Sequence, residues 1–499
     1  MRGDNAPGNA AIQENASSNE SSHLKWRDIM IVVAVAWAAR LAFIIVVPSG
    51  SRSFDAFVWE KVADLLKEGV NPYQATVFLN WPPFWMQFIF VISKIAAVFN
   101  VSFFAVLRVA LILFETAVIV QVMRLIKMIA PSANARAIAM AGIALNPVAI
   151  LLVCQHCNFD IIMALWMLLA AEGIVRYNQS RNVMDWLWAC LFLGLGILTK
   201  TVPLALVPLL AGGFQKANAY CRILGGTLVL GPPALGMSVI FVLSPGAVLS
   251  HVLEYRPDST SFGFPGLMGM LGIKDFAGYF DRGFYLLGFV TMGLTWRFLW
   301  KNHSLGNRET VLFIAMVLLA IPVLGPGFGS QYCYWFLPFL VITYACYPGT
   351  FQKLLIGVAV IAVITFILQY GFNEAYGWNF IYLLSHAPNP GTLYQWIRQP
   401  NEDFSHHALK WAAWLSTPGH RVLQWTLFFI GALAVLAFGT RIVLLSANAP
   451  RKWVRTVTGC YAFYIMMVFG LGLGAKYIQE KGPLSPPASS TEVDNTPSF

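Results

Sequence analysis

The sequence predicts an all-α, polytopic membrane protein. Of its 499 residues, 58% are hydrophobic and 11% are charged, and the mean hydropathy is +0.64, whereas a soluble domain carries about 25% charged residues. The apolar residues come in runs of roughly 18 to 25, the length of a helix that crosses a bilayer. The alternating pattern of a β-barrel is absent, so the spans are predicted to satisfy their backbone groups as helices.

The positions of Lys and Arg predict the orientation of the chain. The net charge of +10 is spread over short loops, which is typical of a membrane protein and does not indicate nucleic-acid binding. Lys25 and Arg27 precede the first apolar run, so the N-terminus is predicted to be cytoplasmic. No convincing cleavage site follows that run, and we therefore interpret it as a retained span.

The second apolar stretch, 82–99, decides the rest of the topology. If it crosses the membrane, the cations Arg124, Lys127 and Arg136 lie outside; if it is a juxtamembrane or re-entrant helix, nearly every clustered cation is cytoplasmic. We adopt the second reading, which gives about 13 spans with the C-terminus outside, or about 12 if the short pair flanking Lys200 is one span. The spans are predicted near 28–47, 103–123, 136–153, 158–176, 186–199, 202–214, 223–243, 282–299, 310–325, 331–347, 352–371, 421–444 and 454–473.

The polar segments divide the chain into tails, a membrane domain and loops. Residues 1–24 and 475–499 are predicted to be disordered tails around a transmembrane domain at 25–474. The cytoplasmic loops are short and contain no nucleotide-binding fingerprint, so an ATP-driven pump is disfavoured and any chemistry is predicted on the non-cytoplasmic face. The outward segments on that face are 48–102, the tip at 153–160, 244–281, the turn before Gln331 and 372–420.

The first outward loop is predicted to contain an amphipathic helix. The helix runs from Phe54 to Leu66 and ends at Gly69, and its apolar stripe is suited to lie along the membrane surface. Asp55 falls in the first turn, where its negative charge either interacts favourably with the helix dipole or acts as a general base towards a hydroxyl group. The loop continues through Asn71-Pro72-Tyr73 to Trp81, residues that anchor a chain at the interface or bind a sugar.

The tip has the sequence VCQHCNFD and looks at first like a metal or thiol site. A zinc site needs a second cysteine pair or histidines at ligand spacing, and a thioredoxin-like switch needs a βαβ context; both are missing, so no metal and no cofactor are predicted. Asn146-Pro147 is predicted to break the span that leads to the tip. His156, Asn158 and Asp160 would then lie at its outer mouth.

Two cations and one aromatic turn complete the candidate residues. Lys200 lies in an apolar stretch, where it snorkels to the interface or meets a phosphate. Arg256 lies in a polar outward loop, and its guanidinium matches a phosphate in a bidentate way. A Gly/Pro turn leads into Gln331, Tyr332 and Trp335. The remaining charges within apolar runs are predicted to be structural and to pair with one another; these are Arg40, Arg108, Glu115 and Glu172.

In this order, the pieces resemble the GT-C superfamily of integral-membrane glycosyltransferases over about residues 28–347. The matching stretches are Phe54-Asp55-Ala56, Asn71-Pro72-Tyr73, Trp81-Pro82-Pro83-Phe84, Asn146-Pro147, His156-Cys157-Asn158-Phe159-Asp160, Leu198-Thr199-Lys200-Thr201-Val202-Pro203 and the residues from Gln331-Tyr332 to Trp335-Phe336-Leu337-Pro338. The family usually has Gly after the His of the fifth stretch; here the residue is Cys157.

The resemblance implies a GT-C-like bundle that transfers a monosaccharide from a polyprenyl or dolichyl phosphate to a lipid or glycan acceptor. It favours mannose, an inverting reaction without a metal ion, and Asp55 as the base. Arg256, with Lys200, would stabilise the leaving phosphate. The bacterial cytoplasmic membrane and the endoplasmic reticulum are both compatible. Residues expected to bind the sugar or acceptor are Asn71, Tyr73, Trp81, His156, Asn158, Asp160, Gln331, Tyr332 and Trp335.

The sequence leaves two other functions open. A transporter or flippase of lipid-linked sugars would show an internal repeat and polar groups near the midplane, and the sequence shows no matching halves. A ligase or polymerase acting on lipid-diphosphate glycans would favour further arginines in the late loop, where 372–420 offers mainly Arg398, Lys410 and several histidines.

Overall fold

The described part of the protein is helical throughout. A computed structural model describes residues 24–46, 54–75, 81–247, 276–302, 305–325, 329–372, 418–446 and 455, and none of these residues lies in a strand. The helices are α1 Trp26–Val46, α2 Phe54–Lys67, α3 Pro72–Ala75, α4 Pro83–Phe99, α5 Phe103–Ile129, α6 Ala135–Ala139, α7 Pro147–Leu151, α8 Asp160–Ser180, α9 Val183–Thr199, α10 Ala211–Lys216, α11 Ala219–Leu243, α12 Pro245–Ala247, α13 Phe276–Asn302, α14 Asn307–Leu324, α15 Cys333–Cys346, α16 Thr350–Phe372 and α17 Pro418–Ser446. Tighter or wider turns occur at Met140–Ala144, Leu152–His156, Val202–Leu210 and Ser330–Tyr332.

The helices confirm the class of all-α integral membrane protein. Among the described residues, five helices are each long and apolar enough to cross a membrane. They are Trp26–Ile45, Phe103–Ile129, Ala219–Val242, Asn307–Leu324 and Leu427–Ser446. A bent pair, Ala135–Ala144 with Pro147–His156, passes the same test as one broken span.

The total of about 13 spans stays a prediction. Twelve of the predicted spans coincide with helical segments, whereas nearly all of 454–473 lies outside the described residues. The two predicted tails and most of the loops 244–281 and 372–420 also lie outside them.

The ambiguous stretch 82–99 forms the helix α4. Pro83 occupies its first turn, where a missing N–H costs no hydrogen bond, and Asn100 ends it with a left-handed φ of 50°. Trp85, Ile89 and Ile92 are buried against the protein, while Phe99 is 70% exposed. At 17 residues the helix is shorter than the spans above, and its juxtamembrane or re-entrant placement stays a prediction.

The predicted amphipathic helix is present but turns much of its apolar side inwards. It runs from Phe54 to Lys67, and Gly69 follows with a left-handed φ of 73°, as expected for a residue that ends a helix. Val58 and Val62 are buried in the protein, whereas Phe57 is 49% exposed. The two valines therefore pack on the protein, and the placement of the helix along the membrane surface stays a prediction.

The span that leads to the tip is broken at Asn146-Pro147, as predicted. Its two halves meet at an angle of 50°. The Asn146 side chain pairs with a backbone group of each half. Its oxygen accepts from the N–H of Val148 at 2.9 Å, and its amide donates to the carbonyl of Gly142 at 3.1 Å. Pro147 then begins the second half, and each half ends in a wide turn.

Arg40 of α1 donates to carbonyl groups at the break, of which that of Ile143 also accepts from the N–H of Asn146 at 3.2 Å. Its guanidinium donates to the carbonyl of Ala144, and to that of Ile143 at 3.4 Å. Glu115 of α5 balances the charge, with oxygens at 2.8 Å and 2.5 Å from the guanidinium nitrogens. Both side chains are fully enclosed, at 0% and 1% exposure. The pair therefore stabilises a broken helix in a place where lipid offers no hydrogen bonds.

The other predicted internal pairs are only partly formed. Glu172 of α8 binds Arg124 and Arg176 at 2.7 Å and 2.6 Å and accepts from the amide of Gln121. Arg108 has no carboxylate partner among the residues that the structure describes.

We expect Arg40→Met to lower the stability of the protein by about 3–5 kcal/mol, because it leaves Glu115 charged and buried without its partner. The double variant Arg40→Met/Glu115→Met should recover part of this loss, since no buried charge remains. Thermal unfolding of the detergent-purified chain measures both. A single variant that melts with the wild type would contradict the proposed role of the pair.

Candidate active site at the end of the broken helix

The tip reverses the chain within a few residues. The broken span ends at His156, and Cys157 adopts a left-handed φ of 54° that only a few non-glycine residues tolerate. Asn158 then closes the turn, because its backbone N–H donates to the carbonyl of Leu152 at 3.2 Å and its side-chain oxygen accepts from the N–H of Asp160 at 2.9 Å. Helix α8 begins at Asp160.

The first group of polar residues surrounds Asp55. Its Oδ2 lies 2.6 Å from Nε2 of His156 and accepts from the amide of Asn158 at 3.4 Å. The His156 side chain is 5% exposed and that of Asp55 is 33% exposed. Oδ1 of Asp55 has no partner in the described part of the chain. One carboxylate oxygen is thus fixed by the tip, and the other is available to a ligand.

The surroundings of Asp55 favour its ionised form. Burial is the largest single effect and would raise the pKa of Asp55, but the charge and hydrogen bond of His156, the charge of Lys200 and the amide of Asn158 together outweigh it. The pKa of Asp55 is therefore lowered from its ordinary value. At neutral pH the side chain is a carboxylate that can accept a hydrogen bond from a hydroxyl group.

The second group of polar residues is an enclosed ion pair. Nζ of Lys200 donates to Oδ1 of Asp160 at 2.6 Å, and the two side chains are 1% and 0% exposed. Four aromatic rings, which we call the aromatic cage, surround the ammonium group. Its distances to the ring centroids are 4.2 Å for Trp81, 5.2 Å for Phe159, 5.2 Å for Tyr332 and 4.8 Å for Trp335. Such cation–π contacts add to the ion pair.

The cage assembles segments that are distant in the sequence. Trp81 comes from the first outward loop, Phe159 from the tip, and Tyr332 and Trp335 from the start of α15, where their rings stack at 3.9 Å. Lys200 connects all of them from the end of α9. Sequence reasoning missed Phe159, whose ring also stacks on Trp85 at 4.7 Å. Its position between two polar residues of the tip was the one available signal.

Most of the predicted site residues fall into two adjoining groups, and a few belong to neither group. Asp55, His156 and Asn158 form the group around the carboxylate, and Asp160, Lys200, Trp81, Tyr332 and Trp335 form the caged ion pair. Asn158 joins the two groups, because its side chain binds both Asp55 and the backbone of Asp160. Gln331 is half-buried in the turn at Ser330–Tyr332, and Arg256 lies outside the described residues.

Asn71 and Tyr73 hold the first outward loop in place. The Tyr73 side chain is fully buried, and its hydroxyl donates to the carbonyl of Trp81 at 2.6 Å. Asn71 accepts from the N–H of Tyr73 at 3.1 Å and donates to the hydroxyl of Ser244 at 2.6 Å. Both residues are engaged with protein atoms, and their contact with the site passes through Trp81.

The cysteines of the tip have separate surroundings. Cys154 points towards the carbonyl of Arg40 at 3.9 Å, and Cys157 contacts the guanidinium of Arg108. In the part of the chain that the structure describes, no three His, Cys, Asp or Glu side chains are grouped so that they could hold a metal ion.

Comparisons with known proteins give a likeness at the level of structure and none at the level of sequence. No protein-family model matches the sequence, and no curated protein matches it. Among solved structures, the chain is similar to ArnT from Cupriavidus metallidurans bound to undecaprenyl phosphate, with 14% sequence identity and a TM-score of 0.42 over 90% of this chain and 76% of that chain. At this level of similarity the likeness assigns no residue role to this chain.

We expect Lys200→Met to destabilise the protein by about 3–5 kcal/mol, because Asp160 stays buried without its counter-ion. The double variant Lys200→Met/Asp160→Leu should be less destabilised than the sum of the single variants. Lys216→Met, which alters an exposed lysine, is the matched control and should leave the melting temperature unchanged. Strict additivity of the two single changes would show that the ion pair is absent.

Proposed function

We propose that the protein is a GT-C-type glycosyltransferase that moves a monosaccharide, with mannose as the first candidate, from a polyprenyl or dolichyl phosphate to a lipid or glycan acceptor on the non-cytoplasmic side. The observation that carries the proposal is the half-fixed carboxylate of Asp55. His156 and Asn158 hold its Oδ2, while Oδ1 is free to accept a proton. A general base needs this combination of fixed orientation and an accessible oxygen.

The reaction is an inverting transfer. The acceptor hydroxyl donates its hydrogen bond to Oδ1 of Asp55 and loses its proton to that oxygen as it attacks the anomeric carbon. The bond between the anomeric carbon and the phosphate oxygen breaks, and its electron pair leaves with the lipid phosphate. His156 keeps Asp55 oriented throughout, and a cationic side chain stabilises the phosphate that departs from the opposite face of the sugar.

The positions of the polar groups favour an enzyme over a transporter. The partly exposed carboxylate and the caged ion pair both lie at the tip and at the helix ends packed on it. The buried pair Arg40–Glu115, deeper in the bundle, is occupied by the carbonyl groups of the helix break. A transporter of lipid-linked sugars would place its binding groups near the midplane. Mannose itself rests on the sequence resemblance.

We expect Asp55→Asn to reduce sugar transfer by at least about a hundredfold, because the amide cannot accept the proton. Asp64→Asn is the matched control: Asp64 lies in the same helix, is 51% exposed and binds Lys67 at the surface. Transfer of radiolabelled sugar from a panel of polyprenyl-phosphate monosaccharides, mannose included, measures both variants. If Asp55→Asn retains activity within a few-fold of the wild type while melting normally, Asp55 is not the base.

The pH dependence of transfer should report the contact between His156 and Asp55. Because His156 lowers the pKa of Asp55 against the effect of burial, His156→Gln should raise that pKa. Asp55 can act as a base only when it is ionised, so activity is lost as the pH falls through its pKa. If the variant raises that pKa, the acid limb of kcat/KM should move to higher pH. An acid limb that does not move would contradict this role of His156.

A further inference from the structure

We propose that Arg108 of α5 binds the phosphate group of the polyprenyl lipid. The sequence predicts a purely structural role for this arginine. The inference rests on the proposed function and names the group that holds its leaving phosphate. Arg108 lies five residues after Phe103, or about 7.5 Å from the start of α5 along the helix axis. This is the end of the helix that lies beside the tip.

Arg108 faces the protein interior and not the lipid. It precedes Glu115 by seven residues, which is close to two full turns, so the two side chains share one face of α5. Phe104 and Ile112, one turn before and one turn after Arg108 on this face, are 5% and 2% exposed. Glu115 is itself occupied by Arg40, so it does not neutralise Arg108.

The charge of Arg108 is not balanced by the part of the chain that the structure describes. Arg40, Arg124 and Arg176 each bind a carboxylate, whereas Arg108 binds none of the described ones. Its Nε is buried without a hydrogen-bond partner there, and the side chain as a whole is partly exposed. A cation on the inner face of a membrane helix is costly unless an anion pairs with it. The phosphate of a lipid ligand would supply such an anion through a charge-assisted hydrogen bond.

The neighbours of Arg108 place that ligand next to Asp55. The guanidinium contacts the thiol of Cys157, and the residue before it, His156, binds Asp55. In an inverting transfer the base and the leaving phosphate lie on opposite faces of one sugar ring, and the tip contacts a candidate for each: Asp55 through His156 and Arg108 through Cys157. Lys200 is closed off by Asp160 and the aromatic cage.

A guanidinium group suits this ligand better than an ammonium group does. Its planar fork can donate two parallel hydrogen bonds to phosphate oxygens, and a soft thiol beside it offers little competition. The bond that breaks is the one between the anomeric carbon and the phosphate oxygen, so the donor diester becomes a monoester with more negative charge. Arg108 should therefore bind the polyprenyl phosphate product at least as tightly as the donor.

The test is binding of farnesyl phosphate to the detergent-purified full-length chain, which needs no sugar transfer. Arg108→Gln should weaken binding by at least about tenfold, and Arg108→Lys should fall between, since the charge remains but the fork is lost. Lys94→Gln, which alters an exposed lysine of α4, is the control and should bind as the wild type does. Thermal unfolding of each variant shows that it is folded.

Three further ligands identify the source of the phosphate. Farnesol, inorganic phosphate and phosphatidylglycerol should each compete with farnesyl phosphate far more weakly than unlabelled farnesyl phosphate does. Equal competition by any of them would overturn the inference, as would binding to Arg108→Gln within twofold of the wild type. If the wild type binds farnesyl phosphate through Arg108 but transfers no sugar from any donor, the proposed function fails and the lipid-phosphate site stands.

Discussion

The contact on which the rest of the structure depends is the one between Arg40 and the carbonyl groups of the broken span. A helix that is interrupted inside a bilayer exposes backbone groups that lipid cannot satisfy. Here a guanidinium group provides the missing donors, and Glu115 makes its burial tolerable. Asn146 and Pro147 bend the span, and the pair makes that bend tolerable inside the bundle. The bent span ends in the tip, whose His156 contacts Asp55 of the first outward loop.

Two kinds of electrostatic arrangement then lie side by side at the tip. Around Lys200 every charge is paired and shielded, which gives rigidity and no reactivity. Around Asp55 the charge is held from one side only, so it remains available to a ligand. The shared residue Asn158 means that the rigid group orients the reactive one. Functional groups keep a productive geometry when the residues that support them are themselves locked by packing and hydrogen bonds.

The sequence predicted the helices well, because apolar runs, Gly69 and Asn146-Pro147 are local signals that tertiary packing rarely overrides. It also placed Asp55 with the residues of the tip, since the topology puts both on one face. It could not distinguish a paired lysine from a free one. The partner of Lys200 is 40 residues away in the sequence, and the four rings around it come from three segments. For the same reason it could not separate Arg108 from the paired arginines.

The brevity of the tip limits how such a protein can diversify. One run of five residues, 156–160, supplies the partner of Asp55, the joint between the two groups and the counter-ion of Lys200. An insertion or deletion of a single residue there would misalign both groups at once. A new sugar or acceptor would therefore have to be accommodated by changes in the surrounding loops, while the tip itself stays constant in length.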